Sequence, residues 1–283
     1  MKTIAKIIDK NTICVCDPTQ FDADAIMHSG QVFRYFGAGG EYKLVAGNNY
    51  AEISLNQMTN DKGQTTSNAV IKSNDSGYFY NYFDFGTDYD EIKNGLDKYE
   101  KLRPAIKAGG GIRILRAEFA ETAISFIISA NNNIKRFTKT LNLICENYGA
   151  RLDNGLFAFP TLERLSAVSE RDFQRLGCGY RSPYLVKAVR QLKSPGFDAL
   201  NKLPNASLDK ELQNICGVGP KVSGCIMLFC FHRLDVAPVD TWIKKALAQF
   251  SEDERKALLN EAYAGAAQQY MFYFLQFLRG KIF

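Results

Sequence analysis

The sequence predicts an α+β fold in which a β-rich, antiparallel N-terminal domain (residues 1–105) precedes a mostly α-helical domain (106–283) containing a helix-hairpin-helix motif. Three observations carry that prediction. Short alternating runs broken by glycine-rich turns fill the N-terminal part. The apolar spacing becomes helical from RAEFAETAISFIISANN (116–132) onward, and ICGVGPKV (215–222) sets two glycines and a proline between two helical segments.

Within the first domain, VFRYFGAGGEYKLVAGNNYAEISL (32–55) holds alternating runs separated by AGG and GNN, both hairpin signals. SGYFYNYFDF (76–85) reads as an aromatic, β-prone segment. The alternation in NTICVCDP places Cys14 and Cys16 on one face of a strand, where small buried packing residues are expected. In the second domain ENYGAR, LPNAS and RLDVAP divide the helices, with no long linker and no repeat array. PNASLDKELQNIC offers Ser207 as a helix N-cap, and Leu208, Leu212 and Ile215 fall on one helical face. That helix is expected to stop at Gly217. Pro220 suits the first turn of the next, where a missing N–H costs nothing.

Composition narrows the function. With 46% hydrophobic and 23% charged residues, the 283-residue chain has the balance of an ordinary globular protein. No apolar run reaches the roughly 18 residues of a membrane span, and MKTIAKIIDKNT lacks the apolar stretch of a signal peptide. A cytoplasmic location with no membrane partner is therefore expected, at the nucleoid in a prokaryote. Seven cysteines without paired CxxC clusters read as reduced thiols, and two histidines, His28 and His232, argue against a histidine metal site or triad. Residues 1–100 hold 9 Lys and Arg against 14 Asp and Glu, whereas residues 101–283 hold 26 against 16. Such a basic C-terminal part suits a polyanion such as nucleic acid.

A glycine hairpin opening onto a helix N-terminus leaves backbone N–H groups free and lets a phosphate approach, so Gly217 and Gly219 form an anion seat. GVGPKVSG is not a P-loop, because it lacks the glycine before the lysine and the Ser or Thr after it. Nor is it a dinucleotide fingerprint, since Val222 replaces the third glycine. Lys221 then occupies the first turn of a helix, at the positive end of the macrodipole, where a cation is disfavoured. Attack on carbon requires the neutral amine. Read from the hairpin alone, two roles stay open for Lys221: a nucleophile, or a side chain whose tip reaches solvent or a phosphate. Asp240, in RLDVAPVDTWIKKAL, precedes an apolar helical pattern and reads as an N-cap. A carboxylate held by capping bonds also suits the stabilisation of positive charge developing on a sugar.

With LQNICGVGPKVSGC followed by VAPVDTW, the chain resembles the helix-hairpin-helix DNA glycosylases, and most closely their 8-oxoguanine DNA glycosylase/AP lyase branch. SGQVFRY (29–35), FIISANNNIKR (126–136), LGCGYRSPYL (176–185) and AGAAQQYMF (264–272) carry the same resemblance, which runs from about Asp17 to the C-terminus. It implies that Lys221 attacks the sugar C1′, expels the damaged base and forms a Schiff base that permits β-elimination, while Asp240 assists base departure. It implies a base pocket made by the Gly30 carbonyl, Cys225, Gln268 and Phe272. Gln268 and Phe272, four apart, share a helix face. It further implies that Asn131, Arg136 and Arg181 contact the orphaned cytosine and that Tyr180 fills the gap in the stack. The implied partner is double-stranded DNA containing 8-oxoguanine, bound by a monomer.

Trp242 departs from the family pattern: related enzymes can carry a histidine there, and an indole N–H can donate to phosphate but cannot become charged. No cysteine follows Cys230, which excludes the C-terminal iron-sulfur cluster of the endonuclease III-like branch. No metal or redox cofactor is expected, although hairpin carbonyls can hold a monovalent cation. Two rival readings are an alkylated-purine glycosylase of the same fold that uses water, and a non-catalytic module that grips phosphate.

Overall fold

The computed structural model of the chain describes residues 4–59 and 65–278. Two compact units make it up, and neither is continuous in sequence. One takes the residues up to Leu44, Asn49–Arg116 and those from Leu234 on; the other takes Val45–Asn48 and Ala117–Arg233.

Six strands form one antiparallel sheet in the order β1-β2-β6-β5-β4-β3: β1 (Ala5–Asp9), β2 (Thr12–Val15), β3 (Tyr35–Ala38), β4 (Glu41–Ala46), β5 (Asn49–Thr59) and β6 (Thr65–Ser73). The two expected hairpins are present, with Gly39 and Gly40 turning β3 into β4 at φ +64° and +83°. On β2, Ile13 and Val15 take the buried face. Cys14 is half-buried and Cys16 exposed, so the expectation of two buried thiols is corrected: the bulkier β-branched pair won the core side of the alternation.

Helices enter this unit earlier than the sequence pattern predicts. After α1 (Ala23–Met27) come α2 (Ser76–Tyr82), α3 (Tyr89–Leu96) and α4 (Arg103–Gly109). The segment SGYFYNYFDF is thus a helix and a turn rather than a strand. Asp75 accepts the Tyr78 N–H as N-cap, and Phe79, Tyr82 and Phe83 bury at helical spacing, which outweighs the β propensity of the aromatics.

The turn after α2 closes on Arg113, which is 0% exposed. Its guanidinium donates to the carbonyls of Phe83 (2.9 Å), Gln20 (3.1 Å), Asp84 (2.5 Å) and Thr87 (2.7 Å), and lies 4.2 Å from the Tyr89 ring centroid. Asp84, held at φ +53°, accepts from the Tyr89 hydroxyl and Arg116, while that hydroxyl accepts the Ile114 N–H. Burial pulls the Arg113 pKa below its ordinary value, although nearby acidic groups oppose the shift.

The second unit contains α5 (Phe119–Ser129), α6 (Ile134–Tyr148), α7 (Leu162–Ser166), α8 (Glu170–Arg175), α9 (Ser182–Gln191), α10 (Phe197–Asn201), α11 (Asn205–Gln213) and α12 (Pro220–Phe229). Thr122–Ile128 and Val222–Phe229 are buried all round, and Phe126 stacks on Phe229 at 5.8 Å. The tip of the β4–β5 hairpin belongs here: Gly47 donates to Glu121 (2.7 Å) and accepts from Phe159 (3.0 Å). Helix α11 starts earlier than expected, at Asn205 after an extended Pro204, which places Ser207 inside the first turn and not at the cap. It also ends at Gln213, ahead of Gly217, because Ile215 turns inward and starts the hairpin.

The chain then returns to the first unit as α13 (Thr241–Leu247), α14 (Glu252–Leu259) and α15 (Ala264–Tyr273). Among the described residues no helix is long and apolar enough to cross a membrane.

Replacing Arg113 with methionine strands four carbonyls and is expected to lower stability by at least about 3 kcal/mol. Urea unfolding measures this; an unchanged midpoint would mean that other donors satisfy those carbonyls.

Candidate active site

In the second unit, the hairpin between α11 and α12 closes through a Val218 N–H bond to the Ile215 carbonyl (3.0 Å). Gly217 has φ +87°, and a Cβ there would lie 3.1 Å from Ile127 and 3.4 Å from Tyr184, so both backbone and space call for glycine. Gly219 is the α12 N-cap, without a side-chain bond, and Pro220 follows in the first turn as expected. Ser223 donates to Asp209 (2.6 Å), tying α12 to α11.

Lys221 stands in that first turn, half-buried, with Nζ 4.7 Å from the Phe126 ring centroid. Among the described residues it forms no ion pair. Its head group lies over the face of that ring, within the range of a cation–π contact. Cys225, one turn on, is buried.

Asn131 to Asn133 do break the helix between α5 and α6. Asn131 sits at φ +50°, and Asn133 caps α6 by accepting the Arg136 N–H (2.8 Å), leaving the Arg136 side chain exposed. Arg181 is not a surface charge. Buried, it donates Nε–H to the Ala130 carbonyl (2.9 Å) and Nη2–H to the carbonyls of Ala130 and Asn131 (3.1 Å to the latter), which caps the end of α5. Its guanidinium lies 4.3 Å from the ring of Tyr180, which is 58% exposed and meets Tyr184 edge-on at 6.4 Å. Tyr184 went unnoticed in the sequence, although it follows Tyr180 by four.

The remaining residues lie in the first unit. Asp240 is the α13 N-cap, as read, its Oδ1 accepting the Trp242 (2.9 Å) and Ile243 (2.8 Å) N–H groups. Trp242 is exposed, with Lys245 4.9 Å from its ring. Gly30 has φ +77°, and a Cβ on it would come within 2.9 Å of the Phe272 ring. The segment that carries Gly30 is held by Gln31, a residue that sequence reasoning passed over. The Gln31 amide donates to Ser29 Oγ (2.9 Å) and the Arg113 carbonyl (3.0 Å) and accepts the Leu115 N–H (2.9 Å). On α15, Gln268 is buried and Phe272 half-buried, one turn apart. Among the described residues no group of three His, Cys, Asp or Glu side chains is placed to hold a metal.

The glycine hairpin with Lys221 at its exit in one unit, and Asp240 capping α13 in the other, are the features that comparison with known proteins bears on. The model of the HhH-GPD superfamily of base-excision DNA-repair proteins matches residues 124–262. The model of the 8-oxoguanine DNA glycosylase N-terminal domain matches residues 13–123. The 8-oxoguanine glycosylase/lyase of Clostridium acetobutylicum, solved in complex with double-stranded DNA containing cytosine opposite 8-oxoguanine, superposes with a TM-score of 0.85 at 31% identity over 99% of this chain and 100% of that one. The chain belongs to the 8-oxoguanine DNA glycosylase/lyase family of that superfamily.

An N-glycosylase/DNA lyase of Saccharomyces cerevisiae is 36% identical over 180 residues, 56% of this chain and 45% of its own length. One from Arabidopsis thaliana is 37% identical over 143 residues, 47% of this chain and 39% of its own. The matches thus span less than half of either relative.

Gly30→Ala forces an L-residue into the left-handed region against the Phe272 ring. A loss of about 1–2 kcal/mol is expected in thermal melting, whereas an unchanged melting temperature would mean that the ring moves aside freely.

Proposed function

We propose that this protein is a bifunctional DNA glycosylase/AP lyase that removes 8-oxoguanine from duplex DNA, acting as a monomer without a metal or redox cofactor. The observation that carries the reading is Lys221: an amine in the first turn of α12, without an ion pair among the described residues and packed on Phe126, at the exit of an anion-seating hairpin. Attack of its lone pair on C1′ breaks the N-glycosidic bond, and the electrons leave with the base, which takes up a proton. Opening of the sugar gives a protonated Schiff base between Lys221 and C1′. Loss of a C2′ proton then expels the 3′ phosphate by β-elimination and nicks the strand. Asp240, fixed by two capping bonds through one oxygen, stabilises positive charge on the sugar as the base departs.

8-Oxoguanine carries a hydrogen on N7 where guanine presents an acceptor, so a single carbonyl separates them. The Gly30 carbonyl, on a segment locked by Gln31, supplies that test; Gln268 bonds the pairing edge; Phe272 and Cys225 enclose the two base faces. Asn131, Arg136 and Arg181 form the surface for the opposite cytosine, and Tyr180, exposed and backed by Arg181 and Tyr184, enters the vacated stack. The preference for cytosine draws support from the DNA bound to the Clostridium relative. Gly217, Gly219 and Trp242 engage phosphate, and hairpin carbonyls can hold a monovalent cation.

Borohydride is expected to trap the protein on a duplex with 8-oxoguanine opposite cytosine, and to trap neither Lys221→Gln nor the parent on undamaged duplex. Free base without an adduct would point to a water-using glycosylase; binding without either would leave a DNA-binding module. Asp240→Asn preserves an N-cap, so its stability is expected to stay within about 0.5 kcal/mol of the parent. Its single-turnover excision should fall on the order of a hundredfold or more; a parental rate would remove Asp240 from the chemistry.

A further inference from the structure

Gln268 does not stand alone on α15. Its neighbour Gln269 is equally buried, at 3% exposure against 4%, and donates an Nε2–H bond of 2.8 Å to the Gln268 Oε1. Consecutive residues of a helix do not face each other, so helix spacing does not create this contact by default. Nor does stability account for it, because the Gln269 Oε1 is buried and has no hydrogen-bond partner among the described residues, an arrangement that disfavours the folded state. An apolar side chain of the same length would avoid that loss.

A primary amide presents a carbonyl and an NH2 of nearly the same shape, and rotation by half a turn exchanges them. With Gln269 as donor the bond selects one order: the Gln268 Oε1 lies toward Gln269 with one lone pair remaining, and reversing the Gln268 amide requires the Gln269 amide to reverse with it. The pairing edge of 8-oxoguanine offers the O6 acceptor beside the N1–H donor, while 8-oxoadenine offers the 6-amino donor beside the N1 acceptor, the reverse order. Both bases carry N7–H, so the Gly30 carbonyl does not separate them. We infer that Gln269 is a positioning residue that fixes the order of the Gln268 amide and so the choice between these two pairing edges. The inference rests on the assignment of Gln268 to base recognition.

Single-turnover excision of 8-oxoguanine and of 8-oxoadenine, each opposite cytosine, tests it, with nicking of a preformed abasic site as the control that needs no base pocket. For Gln269→Met, the preference for 8-oxoguanine is expected to drop at least about tenfold while abasic nicking stays within about twofold of the parent. Gln269→His retains an N–H donor and is expected to keep more of the preference than Gln269→Met. An unchanged preference in Gln269→Met overturns the inference, whether both excision rates hold or both fall together with nicking, as does Gln269→His doing no better. Gln268→Ala with the full preference would refute the underlying assignment instead, and the inference with it.

Discussion

The first unit is arranged around the fully buried guanidinium of Arg113. Backbone carbonyls from two stretches of chain, Gln20 and the Phe83–Thr87 turn, surround this guanidinium, and two aromatic rings cover it. Carbonyls that close such tight turns would otherwise be orphaned in a dry interior. The charge that satisfies them also fixes where its own backbone lies, and the Arg113 carbonyl is one of the three points that hold Gln31. The segment that carries Gly30 is therefore tied, through Gln31, to the backbone that the guanidinium fixes. A guanidinium suits this task because its five donors radiate in a fixed plane and its charge persists when burial lowers its pKa.

The second unit depends on a different constraint, close packing without side-chain volume. Gly217 lets the hairpin lie against Ile127 and Tyr184, and α5 and α12 are buried on every face. Lys221 is carried on a helix that cannot shift without disturbing the Phe126–Phe229 stack. A side chain on a rigid support loses less entropy in reaching a fixed geometry than one on a loop, which suits the role proposed for Lys221. Arg181 applies similar logic at the α5–α6 junction: by capping α5 it keeps Asn131 in a backbone region that asparagine tolerates and larger residues resist.

Much of this was legible in the sequence where local chemistry and tertiary need agree. Gly-Val-Gly-Pro can hardly be anything but a hairpin, Asp240 caps the helix it precedes, and Leu208 and Leu212 bury on one face of α11. The misses fall where a tertiary partner decided. Aromatic residues 78–83 favour strands in isolation, but Asp75 and the Arg113-centred turn made them a helix. Cys14 and Cys16 lost the core to Ile13 and Val15, since alternation fixes which residues share a face and not which face is inward. Pro204 set the start of α11 before Ser207 could. Gln31 and Arg181 act through backbone carbonyls distant in sequence, and no local pattern announces such partners.

The discontinuity of the units has a consequence for biosynthesis. Translation delivers Ala117–Arg233 before it delivers α13–α15, so the hairpin and Lys221 can be folded while the first unit still lacks its last three helices. Asp240, Gln268 and Phe272 emerge from the ribosome only afterwards. A nascent or C-terminally clipped chain thus carries the hairpin and Lys221 without Asp240, Gln268 and Phe272. The residues assigned to the proposed reaction are in this way brought together only after α13–α15 have been made.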